Sequence, residues 1–266
     1  MNLLSQHRVE YQTLAREMKL FEDFPKKRTE LTQEYKNIYS EYYLKNREGN
    51  TFASFFSKQM EGWMHKKVAS DVNNNHNKST LEIGAGTLNQ LKYEKTSPYD
   101  IIEPFHELFE KSPYKTCINN IYSDINELND EKKYDRITSI ATFEHILDLP
   151  DVLSKTCNLL KDDGLLRVAI PNEGSFCWKM GWKLTTGIEY KIKYKLDYGL
   201  LMKHEHVNTA DEIDQLLNYF YNNVKCNYWG ISKKLGFYRF YVCSSPNTEN
   251  NIKYQTIVRS RKATYK

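Results

Sequence analysis

The spacing of apolar positions changes character along this chain. In the first 75 or so residues apolar side chains recur three and four apart, at Leu31, Tyr35, Ile38 and Tyr42, and again at Phe55, Phe56, Met60, Trp63 and Met64. That spacing holds them on one helical face and predicts two amphipathic helices, the second over about 52–72, with Gly49-Asn50-Thr51 as the break between them. From residue 79 short apolar runs alternate with helical stretches, the pattern of βα units on a parallel sheet. Strands are expected at Thr80–Ile83, Tyr99–Glu103, Lys115–Asn119, Arg136–Ala141 and Leu165–Ile170, the last stopped by Pro171. Helices are expected over Phe105–Lys111, Pro150–Leu160 and Ala210–Phe220. Two further runs, Val224–Tyr228 and Tyr238–Cys243, lie either side of a short turn region with Gly236 and predict an antiparallel pair closing the sheet. Between these, Ile188, Tyr190, Ile192, Tyr194 and Leu196 alternate with Lys191, Lys193 and Lys195, which predicts a half-buried strand with a lysine face in water. The Asn-rich tail after residue 243 is polar and expected to be partly disordered.

Composition narrows this picture only a little. A chain of 266 residues suffices for one substantial α/β core with an appendage. No apolar run approaches the ~20 residues of a membrane span, and the opening residues lack the basic and apolar segments of a secretion signal, so a cytoplasmic protein is expected. Five scattered cysteines without a CxxC pair suggest neither a disulfide framework nor a zinc site, and no metal site is expected. A net charge of +4 does not indicate a nucleic-acid partner.

The informative stretch is LEIGAGTLNQL, residues 81–91. Two glycines one residue apart have no use inside a buried strand, where each costs backbone entropy and packs nothing. At the end of a strand they let main chain approach a ligand closely, and a following helix would add unpaired N–H groups. An acid, Glu103, ends the next strand about 20 residues on, where ribose hydroxyls are received in nucleoside sites. Asn89 occupies the position of the third glycine of a dinucleotide fingerprint, and Glu82 would repel a pyrophosphate beside it. A positively charged nucleoside ligand suits the site better.

With these residues the chain resembles the class I S-adenosylmethionine-dependent methyltransferases, from about Thr80 to Cys243. The family pattern E/D-x-G-x-G reads here Glu82-Ile83-Gly84-Ala85-Gly86, with Leu88 where many members carry a further glycine. SDI, with Asp124 and Ile125, matches the segment near the adenine amino group; YDRITSIATFEHI, through Ala141, matches the fourth motif; KDDGLLRVAIPN matches the turn and fifth strand. The resemblance implies a Rossmann-like, doubly wound, mostly parallel seven-stranded α/β sheet with an antiparallel closing strand and an N-terminal helical extension. It implies S-adenosylmethionine as cofactor, held by Glu82, Gly84, Ala85, Gly86, Glu103, Asp124, Ile125 and Ala141. Residues 1–78 would form a cap or lid, with a homodimer surface as the other reading; 79–243 the methyltransferase domain, with an acceptor-binding insertion at about 172–209; and 244–266 the tail.

On the acceptor side His204 and His206, two apart, would share one face of an extended segment, and either suits a general base near neutral pH. His145, in Glu144-His145 after the fourth strand, is a third catalytic candidate, with positioning as its alternative role. Trp178, Trp182 and Tyr190 are candidates for stacking on a sugar or ring, with lysines meeting a phosphate or carboxylate. The continuation IPNEGS and the later HEHVNTADEI are similar to members acting on sugars in surface-polysaccharide and secondary-metabolite pathways. The expected acceptor is therefore a small molecule or glycan methylated on oxygen, with RNA or protein methylation and an inactive cofactor-binding scaffold as alternatives.

Overall fold

The computed structural model describes residues 19–38, 53–72, 76–184 and 186–264, with main chain alone at 53–60 and 259–264. The expected continuation of the first helix to Tyr42 and the break at residues 49–51 lie outside the described residues. The second helix, α1, spans Ala53–Ala69. Seven strands follow: β1 Thr80–Ile83, β2 Tyr99–Ile102, β3 Asn120–Tyr122, β4 Tyr134–Ile140, β5 Leu160–Pro171, β6 Tyr221–Gly230 and β7 Gly236–Pro246. They form one sheet in the order β3-β2-β1-β4-β5-β7-β6. β1 pairs in parallel with β2 and β4, β2 with β3 and β4 with β5, whereas β7 runs antiparallel to both β5 and β6. This is the doubly wound, mostly parallel sheet expected of the sequence, and its chain reversal lies between β1 and β4.

The helices divide between the faces as side-chain alternation dictates. Leu81, Ile83, Ile137, Leu166, Val168 and Ile170 point to one face, where they pack with Leu149, Leu153, Ile213, Leu216, Leu217 and Phe220. Those partners come from α2, Leu149–Leu159, and α6, Ala210–Phe220. The α6 helix begins where the sequence places it because Thr209 and Glu212 form a reciprocal capping box. On the other face Met64 and Val68 of α1 cover Ile140, Ala169, Tyr238 and Phe240.

Beneath α1 lies a buried layer of charge. Arg136 is fully buried and grips Glu94 through both terminal nitrogens, at 2.6 and 3.0 Å. Arg136 and Arg167 both donate to Val68 O at the C-terminal end of α1, at 3.0 and 2.8 Å, satisfying carbonyls the helix leaves open. Asp71 lies between the two guanidinium groups, 3.2 Å from one and 3.1 Å from the other.

Four expectations of local structure are corrected. The strand expected at Lys115–Asn119 is a 3-10 turn, Lys115–Cys117, and β3 follows it at Asn120–Tyr122. Residues 186–194 are a helix, α4, Thr186–Tyr194, between α3, Phe176–Leu184, and α5, Tyr198–Glu205. Tyr190 and Tyr194, four apart, meet with ring centroids 4.9 Å apart and planes tilted by 50°, a contact a helix makes and a strand does not. The tail forms a helix, α7, Thr248–Thr264, anchored by buried Asn251 and Tyr254. The segment around Phe105 supplies only a 3-10 turn, His106–Leu108. Among the described residues no helix is long and apolar enough to cross a membrane.

Candidate active site

Because β1, β2, β4 and β5 are parallel, their C-terminal ends share one edge of the sheet, the edge at which open α/β folds bind ligands. The chain leaves β1 through Gly84 at φ 73° and Gly86 at φ 52°, conformations glycine adopts without strain. At Gly84 a Cβ would also lie 2.3 Å from the Thr142 side chain, so a larger residue is excluded twice over. Ala141, at the end of β4, is itself held at φ 50°. The loop is followed by a 3-10 turn, Asn89–Lys92, entered through left-handed Leu88, and not by the expected α-helix. Gly84 N and Ala85 N donate to Ile102 O and Gly86 N to Glu103, so this end of β1 offers a ligand close approach to main chain and not a helix dipole.

Glu103 stands beside that loop. Its carboxylate accepts from Gly86 N at 2.7 Å and from Phe105 N at 3.0 Å, so the glycine turn and the end of β2 are held together. Asp124 caps the turn Ile125–Glu127, accepting from Asn126 N at 2.8 Å, and Ile125 is buried beneath it. Glu82 is turned away from this edge into the layer under α1, where Tyr99 donates to it at 2.7 Å. Burial raises its pKa to about 8, an effect the Tyr99 hydrogen bond opposes, so the carboxyl is largely protonated at neutral pH. The charge expected beside a cationic ligand is therefore not supplied by Glu82 in the protein alone.

Further along the edge, the turn after β4 and the segment before α6 are spliced by main chain. Glu144 O accepts from both Val207 N, at 2.8 Å, and Asn208 N, at 3.1 Å, and the Asn208 amide donates to Phe143 O and Ile146 O. The splice brings His145 and His206 together with ring centroids 4.8 Å apart. His206 Nδ1 meets Glu173 Oε2 at 2.9 Å, Trp178 Nε1 donates to the same carboxylate, and the Trp178 ring stacks over the imidazole. His145 Nδ1 donates to Glu205 O at 2.9 Å. Burial, and then the neighbouring His206, lowers the His145 pKa to about 4, which keeps the ring neutral. Glu144 is 1% exposed, and burial raises its carboxyl to about 7. From the N-terminal segment Arg28 donates to the carbonyls of His204, Glu205 and His145, at 2.8, 3.2 and 3.2 Å.

His206 and Glu173 line a cavity of about 420 Å³, with Trp182, Lys179, Lys183 and Lys203 among its walls. Of the residues expected on the acceptor side, the structure thus gathers His145, His206, Trp178 and Trp182. It does not bring His204 with them: that residue lies within α5, its Nδ1 donating to Thr29 O at 2.6 Å, so the two histidines do not share an extended face. Tyr190 is 1% exposed and packs among Leu31, Tyr35 and Leu201, away from the cavity walls. Sequence reading missed Glu173, Arg28 and the three cavity lysines. Only Glu173 carried a signal, as the first acid after the Pro171-Asn172 stop of β5.

The family profile described as "Methyltransferase domain" matches residues 25–220. No curated protein matches the chain. Among solved structures it is similar to the plantazolicin methyltransferase BpumL in complex with a triazolic desmethylPZN analog and SAH, at 16% identity and TM-score 0.51, covering 87% of this chain and 95% of that one. It is also similar to the plantazolicin methyltransferase BamL in complex with a triazolic desmethylPZN analog and SAH, at 11% identity and TM-score 0.51, over 77% and 90% of the two chains. The CurJ carbon methyltransferase is matched at 19% identity and TM-score 0.45 over 66% of this chain, which spans about half, 51%, of that one. With the match extending over most of its length, and with the sheet order and glycine turn described above, the chain belongs to the methyltransferase-domain family.

Proposed function

We propose that the protein transfers a methyl group from S-adenosylmethionine to an oxygen of a small molecule, most consistent with a sugar or polysaccharide precursor that carries a phosphate or carboxylate. The observation that carries this reading is that two unlike groups of residues stand on one sheet edge. The glycine turn with Glu103 lies at the ends of β1 and β2, and the Glu144, His145 and His206 cluster with its cavity lies at the ends of β4 and β5.

The cofactor residues fit a nucleoside. Glu103 stands where ribose hydroxyls are received, the loop of Gly84, Ala85 and Gly86 leaves main chain accessible to a close ligand, and the Asp124-Ile125 turn and Ala141 complete the rim. When bound, the cofactor supplies a methyl group already activated on a sulfonium. The protein's own residues then orient an acceptor, exclude water and draw off a proton. The acceptor hydroxyl is activated at the Glu144, His145 and His206 cluster, with Glu173 orienting His206. Trp182 offers a face for a sugar ring, and Lys179, Lys183 and Lys203 offer charge to an anionic group.

The test has two parts. Glu103→Ala should weaken S-adenosylhomocysteine binding by about 1–3 kcal/mol by calorimetry, through lost hydrogen bonds to ribose; an unchanged affinity removes Glu103 from the site. Purified protein with methyl-labelled cofactor should label nucleotide-sugar or oligosaccharide pools, with His206→Ala losing turnover at unchanged cofactor affinity. Label entering RNA or protein instead would overturn the acceptor assignment.

A further inference from the structure

The cluster beside the cavity has features that proton transfer alone does not require. Glu144, His145 and His206 each direct a ligand atom into a common space, and these atoms all lie within 4.8 Å of one another. Glu144 Oε2 is buried and has no hydrogen-bond partner among the described residues, although the whole side chain is only 2% exposed. A buried carboxylate oxygen left without a partner costs free energy that something must return.

The two imidazoles are arranged alike. Each has Nδ1 engaged, His145 by the Glu205 carbonyl at 2.9 Å and His206 by the Glu173 carboxylate at 2.9 Å. Each is thereby left with Nε2 to present, and Nε2 of His145 lies 3.8 Å from Glu144 Oε1. A histidine whose remote nitrogen donates to a carbonyl or carboxylate is fixed in the tautomer and orientation of a metal ligand, with its near nitrogen made more basic.

We propose that Glu144, His145 and His206 form a binding site for one divalent transition cation of the zinc, cobalt, iron or manganese kind. Two imidazole nitrogens and one carboxylate oxygen suit such ions better than they suit magnesium or calcium, which prefer oxygen alone. Bonds of about 2.1 Å place ligand atoms roughly 3–4 Å apart, so the three side chains need to close by only on the order of 1 Å. Three protein ligands leave coordination positions open, and His206 places them next to the cavity. The inference rests on reading this cluster as the place where the acceptor is activated, and it assigns the means: His206 acts by holding a cation that polarises the acceptor oxygen and makes its hydroxyl acidic, the proton passing to solvent as the methyl group leaves the sulfonium for that oxygen.

The experiment uses the full chain after treatment with a chelator. Titration with cobalt(II), followed by its ligand-field absorption, and with zinc chloride by calorimetry should show one saturable equivalent. Glu144→Gln and His206→Ala should each weaken it by at least about tenfold, and Glu173→Gln by roughly 10–100-fold through the lost support of His206. His76→Ala, an imidazole outside the cluster, should leave it unchanged. S-adenosylhomocysteine affinity and the melting temperature check that each variant folds. A readout without variants is paramagnetic broadening by manganese(II), which should strike the imidazole signals of His145 and His206 and spare those of His76 and His106. Absence of saturable binding, equal binding by Glu144→Gln, or broadening of all histidines alike would overturn the proposal. Cofactor binding and methyl transfer that persist with no cation bound sink the cation and leave the function standing. Cation binding without transfer to any acceptor sinks the acceptor reading and leaves the site.

Discussion

At the scale of single residues, Glu82 shows how a motif position can be right in sequence and different in role. It is the acid of the E-x-G-x-G pattern, yet its carboxyl lies 2% exposed in the layer under α1, bonded by Tyr99. Burial was invisible in the sequence because it depends on Tyr99 and Arg136, which neighbouring strands bring to the same face. The raised pKa has a sign that can be measured. The folded state holds this proton up to about pH 8, whereas an unfolded chain releases it near 4.3. Between those values the native state binds more protons, so stability falls as pH rises, by about 1.4 kcal/mol per unit from this group. Glu82→Gln cannot ionise, and its unfolding free energy should decline less steeply over that window. Parallel denaturation curves for wild type and variant across the window would show that Glu82 does not titrate as its surroundings require.

Among the elements, those with a strong period or a local cap were legible. The α6 helix has the bounds expected of it because Thr209 and Glu212 cap it within its own sequence. The run from Ile188 to Tyr194 was misread because apolar residues two apart suit a strand, while every second one of them is also four apart and suits a helix. Burial decides between these: Tyr190 is 1% exposed whereas Ile192 is 77% exposed, a difference of face within the same alternating set. The segment of residues 19–38 showed a helical period at Leu31, Tyr35 and Ile38 but no chemical motif, yet it straps the histidine cluster. Lys26 donates to Val207 O at 2.9 Å and pairs with Glu212, and Arg28 reaches three carbonyls around His145 and His206. Arg28→Ala should lower turnover several-fold, about 1–2 kcal/mol in activation free energy, at unchanged cofactor affinity, because charged hydrogen bonds to the cluster's main chain are lost. Steady-state kinetics beside calorimetry measures both quantities; equal loss of both would mean that the strap serves the fold as a whole.

Across the whole molecule, the sheet order follows from the alternation of elements, and the joining of the glycine turn to the end of β2 from Gly86 and Glu103. The histidine cluster was half legible: His145 and His206 were named, but Glu173 and Arg28 lie far along the chain from the residues they hold, and only folding reveals the contact. The charge layer under α1 belongs to this scale too, since it joins β4, β5, Glu94 and the end of α1. Arg136→Met should destabilise the fold by about 3–5 kcal/mol in urea unfolding, because Glu94 would be buried without its partner. Replacing Glu94 by Leu in the same chain should return much of that loss, and failure to do so would mean that the helix-capping bonds of Arg136, not its ion pair, dominate.

The splice between the turn after β4 and the segment before α6 runs through the peptide oxygen of residue 144, leaving that residue's own side group out of the joinery. What grows from this backbone hinge point can therefore be exchanged with the scaffold intact. Swapping the buried acid for an amide or a hydrocarbon should change what the space between the three side chains can hold, while the two imidazole rings still meet.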